Sequence, residues 1–219
     1  TQGVSSAASD VYKRQDLRSR QQSSLQQQID EQPHYRLQEE WTAYGNKGLH
    51  PDFFVAEMQW RWVNELGNVV TAKLRNLWRA EAETFNSLIS AKPGDPWPIL
   101  SPETGTGKTQ GTCVYAALSA LYTDTGLLIT TRLVSQCVDA VEQIHKIAES
   151  HCSRHPESGQ CRTRSFPIAI TDHSKLSAEE KPSKEVIQAT PCLVITHERM
   201  SRIYKEGLEN EGSFIDKGL

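Results

Sequence analysis

The sequence predicts an α/β fold in which a parallel sheet follows an α-helical N-terminal segment. Three observations support this. Before residue 92, apolar residues recur at helical spacing. After residue 93, short apolar runs alternate with helix-like stretches, which is typical of parallel strands buried on both faces. Between them, Ser101–Thr109 ends in the Gly-Lys-Thr of a phosphate-binding loop. At 219 residues, the chain can hold one large domain or a domain with an appendage.

The beginning of the chain is set apart from this fold. Ser5–Gln15 resembles the translation of a sequencing-library adapter. We therefore expect residues 1–15 to be an adapter artefact or a disordered tail, in a metagenomic gene model that starts at the end of a sequencing read. Residues 16–92 are predicted to be a helical N-terminal region. Its two strongest helices are indicated by Phe54, Met58 and Trp62, and then by Val70, Leu74, Leu77, Trp78, Phe85 and Leu88.

Composition and charge limit the classes of protein to consider. The net charge is −3, so any surface that binds nucleic acid has to be local. No apolar run is long enough to span a bilayer, and no signal peptide is evident. We expect a cytoplasmic protein with no membrane partner, and its five cysteines are expected to be free thiols.

Four apolar runs predict the strands of the parallel sheet. They are 97–100, 126–131, 166–171 and 192–196. Helices are predicted between or after them at 113–121, 133–147 and 198–209, and a polar loop at 149–165. The first strand would lead into the phosphate loop, and the helix after that loop would point its amides and dipole at a bound anion. Phosphate is therefore expected at the carboxyl end of the first strand.

The phosphate loop itself is the strongest functional signal in the chain. In such loops backbone amides surround the phosphates, a lysine contacts the β/γ-phosphates and a hydroxyl ligates Mg²⁺. Pro102 stands where the strict pattern has Gly or Ala. The sequence nevertheless predicts nucleotide phosphate binding.

Three runs of the chain, Pro102–Thr109, Leu127–Arg132 and Leu193–Arg199, resemble the first RecA-like domain of superfamily 2 (DEAD/DEAH-like) helicases. The resemblance covers roughly Leu74 to Arg202. It implies that 93–219 is a RecA-like P-loop NTPase domain, truncated at the C-terminus, that uses ATP and Mg²⁺. It assigns Lys108 to the β/γ-phosphates and Thr109 to Mg²⁺. The loop positions that match the family and would contact phosphate are Thr104, Gly105, Thr106, Gly107, Lys108 and Thr109.

The same resemblance implies a nucleic-acid partner, with DNA favoured over RNA, and a second RecA-like domain of the same protein. The positions near motifs that touch the nucleic-acid backbone are Thr130, Thr131, Arg132, Thr196 and Arg199. Trp78–Ala82 falls where the family carries aromatic-Gln-x-Glu-Ala, with Arg79 in place of the Gln that reads adenine.

ATP hydrolysis in this family also needs an Asp-Glu pair after an apolar strand, and none follows the phosphate loop. Asp172 is the best substitute, as a catalytic carboxylate, and Asp216 is a weaker one. The leading interpretation is the ATP-binding part of a helicase or translocase that is inactive alone. The alternatives are another P-loop ATPase that processes phage or plasmid DNA, a small-molecule kinase, or a nucleotide-binding module without hydrolysis.

The cysteines leave a further question open. Cys152 and His155 have a metal-like Cys-x₂-His spacing, with His151 adjacent. A four-cysteine iron–sulfur cluster, as some superfamily 2 helicases carry, would use Cys137, Cys152, Cys161 and Cys192. Against either metal site, Cys137 and Cys192 have the surroundings expected of ordinary core residues, and no close Cys-x₂-Cys pair is present.

Overall fold

A computed structural model describes residues 34–92, 94–159, 167–173, 175–177 and 179–209, with side chains up to residue 205. Residues 1–33, which include the adapter-like run, lie outside the described residues, as do Cys161 and Asp216. The helices are α1 (His34–Ala43), α2 (Pro51–Asn64), α3 (Ala72–Ile89), α4 (Lys108–Tyr122), α5 (Val134–Arg154), α6 (Lys184–Ala189) and α7 (His197–Glu209). The strands are β1 (Leu127–Thr131), β2 (Ala169–Asp172) and β3 (Cys192–Thr196).

The three strands form one parallel sheet in the order β1-β3-β2. β3 is the central strand, and all five of its residues are buried. In the register, Leu127 pairs with Cys192, Thr131 with Thr196, and Asp172 with Ile195. The carboxyl ends of the strands therefore meet at one edge. The prediction of a mixed α/β fold with a parallel sheet is confirmed.

The predicted strand at 97–100 is wrong, because these residues form neither strand nor helix. Pro96 and Pro98 remove two backbone amides that could donate to a neighbouring strand. Trp97 and Ile99 are 84% and 90% exposed, so the apolar side chains do not pack against the sheet either. The phosphate loop is consequently reached through chain without regular secondary structure.

The other predicted elements differ from the structure mainly at their ends. β2 runs over Ala169–Asp172, and residue 166 lies outside the described residues. The loop predicted from residue 149 is wrong for 149–154, because α5 continues to Arg154. This last helical turn carries His151, which is buried among the helices rather than exposed on a loop. Within the weakly periodic stretch 175–189, α6 begins after Ser183, whose side chain accepts the Val186 amide.

The core lies between the helices and the sheet, and α4 runs through it. From Cys113 to Tyr122, every residue of α4 is buried. Phe53 of α2 meets Tyr122 with ring centroids 5.1 Å apart, and Trp78 of α3 is fully buried. Of the predicted helical aromatics, Phe54 and Trp78 are fully buried core residues, and Trp62 and Phe85 are half-buried against the same core. Within the described part of the chain, no helix combines the length and apolar character that a membrane crossing requires.

Candidate functional site

The predicted phosphate loop turns into α4 through two glycines with left-handed backbones. Gly105 and Gly107 have φ angles of +82° and +85°, a left-handed conformation that side chains disfavour. Gly107 is the N-cap of α4 and offers no side-chain oxygen to the helix. The first amides of α4 therefore keep their hydrogens for another acceptor, at the positive end of the helix dipole.

The side chains of the loop are accessible from solvent. Thr104, Lys108 and Thr109 are exposed. The Lys108 ammonium donates to the Pro102 carbonyl at 2.9 Å, so it lies folded over the loop. The Thr106 hydroxyl donates to the Glu103 carbonyl at 2.7 Å. A phosphate oxygen entering the loop would compete with a carbonyl for Lys108, and a charged acceptor forms the stronger hydrogen bond.

Two tryptophans hold the loop in place. Trp78 donates its indole N–H to the Thr106 carbonyl at 3.1 Å. Its ring meets that of Trp62 edge to face, with centroids 5.5 Å apart. A Cβ atom at Gly107 would lie 2.9 Å from the Trp62 ring, which is closer than side-chain carbons approach. The sequence identified both tryptophans as core residues, but it gave no signal for their contacts with the loop.

Glu81 belongs to the Trp78–Ala82 run, but nothing in the sequence indicated that its side chain is buried. Its carboxylate lies against α4, with both oxygens 2.5 Å from the position of a Cβ atom at Gly111. Burial raises the pKa of Glu81 to about 7. Gly111 is thus required for close packing of α3 on the helix that follows the loop. The neighbouring Arg79 forms an ion pair with Asp52 of α2.

The structure brings the predicted nucleic-acid residues to one edge of the sheet. Thr131 and Thr196 are neighbours across β1 and β3, and Thr130 and Arg132 flank Thr131. The Arg199 amide donates to the Thr196 hydroxyl at 3.2 Å. The Thr131 hydroxyl donates to the Leu133 carbonyl at 3.0 Å. Sequence reasoning placed these residues at strand ends, and the register confirms that placement.

Asp172, the candidate catalytic carboxylate, ends β2 at the same edge. It is buried and accepts from Arg199 Nε at 2.9 Å, in an ion pair with that guanidinium. Within the described residues, neither a hydrogen bond nor an ion pair joins Asp172 to the phosphate loop. Its catalytic role stays a prediction.

The structure argues against a four-cysteine cluster. Cys137 Sγ lies 3.0 Å from the Thr131 hydroxyl, at the carboxyl edge of the sheet. Cys192 begins β3 at the opposite edge, four residues from Thr196, which is about 13 Å along a strand. Cys137 and Cys192 are free, whereas Cys152 is disulfide-bonded. The expectation that all thiols are free is therefore wrong at Cys152, which leaves no thiolate for the Cys-x₂-His site.

Comparisons with known proteins do not assign the chain to a family. A scan against protein-family models and searches of curated proteins and of solved structures found no match.

Proposed function

We propose that this chain binds ATP with Mg²⁺ through its phosphate loop, as part of an ATP-dependent nucleic-acid helicase or translocase with a RecA-like P-loop domain. The observation that carries the proposal is the loop geometry. Two left-handed glycines precede a helix whose first amides have no side-chain cap, and an exposed lysine begins that helix. Lys108 would contact the β/γ-phosphates, and Thr109 would ligate Mg²⁺. Trp78 holds the loop through its hydrogen bond to the Thr106 carbonyl.

The nucleic-acid part of the proposal depends on the sheet edge. Thr130, Thr131, Arg132, Thr196 and Arg199 offer hydroxyl, amide and guanidinium donors along one edge. Such groups contact phosphates rather than bases, so binding would be independent of sequence. DNA is favoured over RNA as the partner. A cytoplasmic location stays a prediction, and the disulfide at Cys152 is not typical of that compartment.

Binding without turnover is the expected behaviour of these 219 residues alone. Hydrolysis needs a carboxylate that positions Mg²⁺ and another that orients water. Asp172 is held by Arg199, and no described carboxylate forms a hydrogen bond or ion pair with Lys108 or Thr109. The second RecA-like domain of the same protein would complete the site.

The Lys108→Ala variant tests the phosphate-loop assignment. We expect its Kd for a fluorescent ATP analogue with Mg²⁺ to rise about 100-fold, because a charge-assisted hydrogen bond contributes up to about 3 kcal/mol. Lys146→Ala is the control, since Lys146 is exposed on α5 and pairs with Glu142. Equal affinity of the two variants would refute the assignment.

Anisotropy of labelled single-stranded DNA, with RNA of the same sequence alongside, tests the nucleic-acid part separately. If neither binds at low salt, that part of the proposal is withdrawn while nucleotide binding stands.

A further inference from the structure

A second concave site lies on the helical part of the protein. A cavity of about 520 Å³ opens between α2, α3 and the last turn of α5. This volume falls within the range of small-molecule sites, which is about 300–1,000 Å³. Its described lining contains no residue of the phosphate loop. The side chains used below are Trp60, Arg75, Arg79, Arg154 and His155 on the wall, and Glu57 on the floor.

The floor of the cavity is the buried Glu57 carboxylate, both of whose oxygens already accept hydrogen bonds. Glu57 accepts from Arg61 Nε at 2.8 Å and from His151 Nδ1 at 2.9 Å, and it also pairs with Arg154. Burial alone would raise the pKa of Glu57, but hydrogen bonds from His151 and Arg154 outweigh it and lower that pKa to about 2. Glu57 is therefore ionised at neutral pH, and its oxygens have little capacity left for another partner.

A metal ion is the first ligand to consider, and the surrounding charges disfavour it. The ligand atoms of Glu57, His151 and His155 lie within 4.8 Å of one another. Two guanidinium groups, from Arg61 and Arg154, already occupy one oxygen of Glu57. The second ring nitrogen of His151 is also hydrogen-bonded, because Nε2 lies 3.0 Å from the Tyr122 hydroxyl. A cation would have to displace these partners while facing two fixed positive charges.

Two arginine side chains on the wall of the cavity have hydrogen-bond donors to spare. The Nε atom of Arg154 is buried and has no hydrogen-bond partner within the described part of the chain. The guanidinium of Arg154 lies 3.6 Å above the Trp60 ring, which fixes its plane. Arg75 is exposed one helical turn before Arg79, and it forms no ion pair with any described residue. A buried donor without an acceptor is costly, so a ligand that supplies one is favoured.

We propose that this cavity binds the phosphate group of a small ligand, which would accept hydrogen bonds from Arg154 and Arg75 beside the ring of Trp60. Guanidinium groups present paired donors that match the oxygens of a phosphate. Arg79 is shared with Asp52 and adds positive charge on the same wall. This second anion site is independent of the phosphate loop, so it can be tested without ATP binding.

Inorganic pyrophosphate is the probe, titrated calorimetrically into the Lys108→Ala chain so that the phosphate loop does not contribute. We expect one binding site. Adding Arg75→Gln should weaken it at least about tenfold, the effect of losing one charge-assisted hydrogen bond. Arg75 is suited to this because it is exposed and unpaired among the described residues, so the fold should survive. Adding Lys146→Gln, which removes a charge outside the cavity, should leave the affinity unchanged.

Three results would overturn the inference. Pyrophosphate that binds the unmodified chain but not Lys108→Ala would show that the phosphate loop is the sole anion site, and would leave the proposed ATP binding intact. Equal effects of Arg75→Gln and Lys146→Gln would show diffuse attraction to surface charge. If pyrophosphate does not bind Lys108→Ala, whereas a single-stranded oligonucleotide does bind it and loses affinity when Arg75→Gln is added, the cavity holds a nucleic-acid chain rather than a small ligand.

Discussion

The phosphate loop and the Glu57 cluster, which comprises Glu57, Arg61, His151 and Arg154, present opposite ways of building a charged site. The loop is a continuous stretch of nine residues, 101–109, whose donors face solvent. The cluster joins residues up to 97 positions apart and is largely buried. The loop offers hydrogen bonds to a partner, whereas the acceptors of the cluster are occupied from within the fold.

This difference assigns different roles to the two regions. Among the described residues, the Lys108 ammonium bonds only to a carbonyl of its own loop, so its charge remains available to a ligand. Arg61 by contrast bonds to Glu57, to Glu65 and to the Ile147 carbonyl of α5. The cluster therefore ties α2 to α5 and belongs to the stability of the fold. Variants in the loop should mainly weaken ligand binding, whereas variants in the cluster should mainly lower the free energy of unfolding.

The largest expected effect follows from removing the charge at the centre of the cluster. Glu57→Gln keeps the shape of the side chain but removes the buried carboxylate that pairs with Arg154 and Arg61, of which Arg61 keeps Glu65. Breaking a buried ion pair in this way costs about 3–5 kcal/mol. The free energy of unfolding, measured in urea at pH 7, should fall by that amount, while ATP-analogue affinity of the folded fraction stays unchanged.

Glu65→Gln is the matched control. Glu65 also pairs with Arg61, but its side chain is 37% exposed compared with 3% for Glu57. A pair with one solvated partner contributes at most about 1 kcal/mol. If the two variants lose equal stability, the cluster has no special role in holding α2 to α5.

The two regions also differ in how far the sequence could predict them. The Gly-Lys-Thr of the loop is local, so it was found without knowing the fold, as were β1, β3 and the long helices. The strand at 97–100 was mispredicted because a strand requires a neighbour, which sequence periodicity does not reveal. The cluster was missed because Glu57 and His151 are 94 residues apart and meet only through tertiary packing. For the same reason, residues 149–154 were mistaken for a loop.

A second comparison concerns Glu81, a buried carboxylate that lacks the cationic partners of Glu57. With its pKa raised to about 7, folded Glu81 holds its proton up to that pH, whereas the unfolded chain releases it near 4.5. Between these two pKa values the folded state binds more protons than the unfolded state, so the free energy of unfolding falls as the pH rises. Above pH 7 the full destabilisation from the ionised, buried Glu81 is present. Glu81→Gln should remove this cost and raise the free energy of unfolding at pH 8 by about 1–3 kcal/mol.

Urea unfolding at pH 4 and pH 8 measures the effect. At pH 4 the unmodified protein and Glu81→Gln should have nearly equal stability, since Glu81 is then mostly protonated in both folded and unfolded chains. Glu83→Gln, at an exposed position of the same helix, is the control and should change little at either pH. If the stability gained by Glu81→Gln over the unmodified protein is no larger at pH 8 than at pH 4, the buried-carboxylate account is contradicted.

The smallest expected effect is the difference between alanine substitutions at the two glycines of the loop, Gly105 and Gly107. Both have left-handed backbones, so alanine at either position costs about 1–2 kcal/mol. At Gly105 nothing lies within 4 Å of the added Cβ, whereas at Gly107 that atom would meet the Trp62 ring at 2.9 Å. Gly107→Ala should therefore lose more stability in urea than Gly105→Ala. It should also weaken ATP-analogue binding more, because Trp62 packs on Trp78, which bonds to Thr106 of the loop. Equal losses in both measurements would show that Trp62 moves freely and that the tryptophan pair does not position the loop.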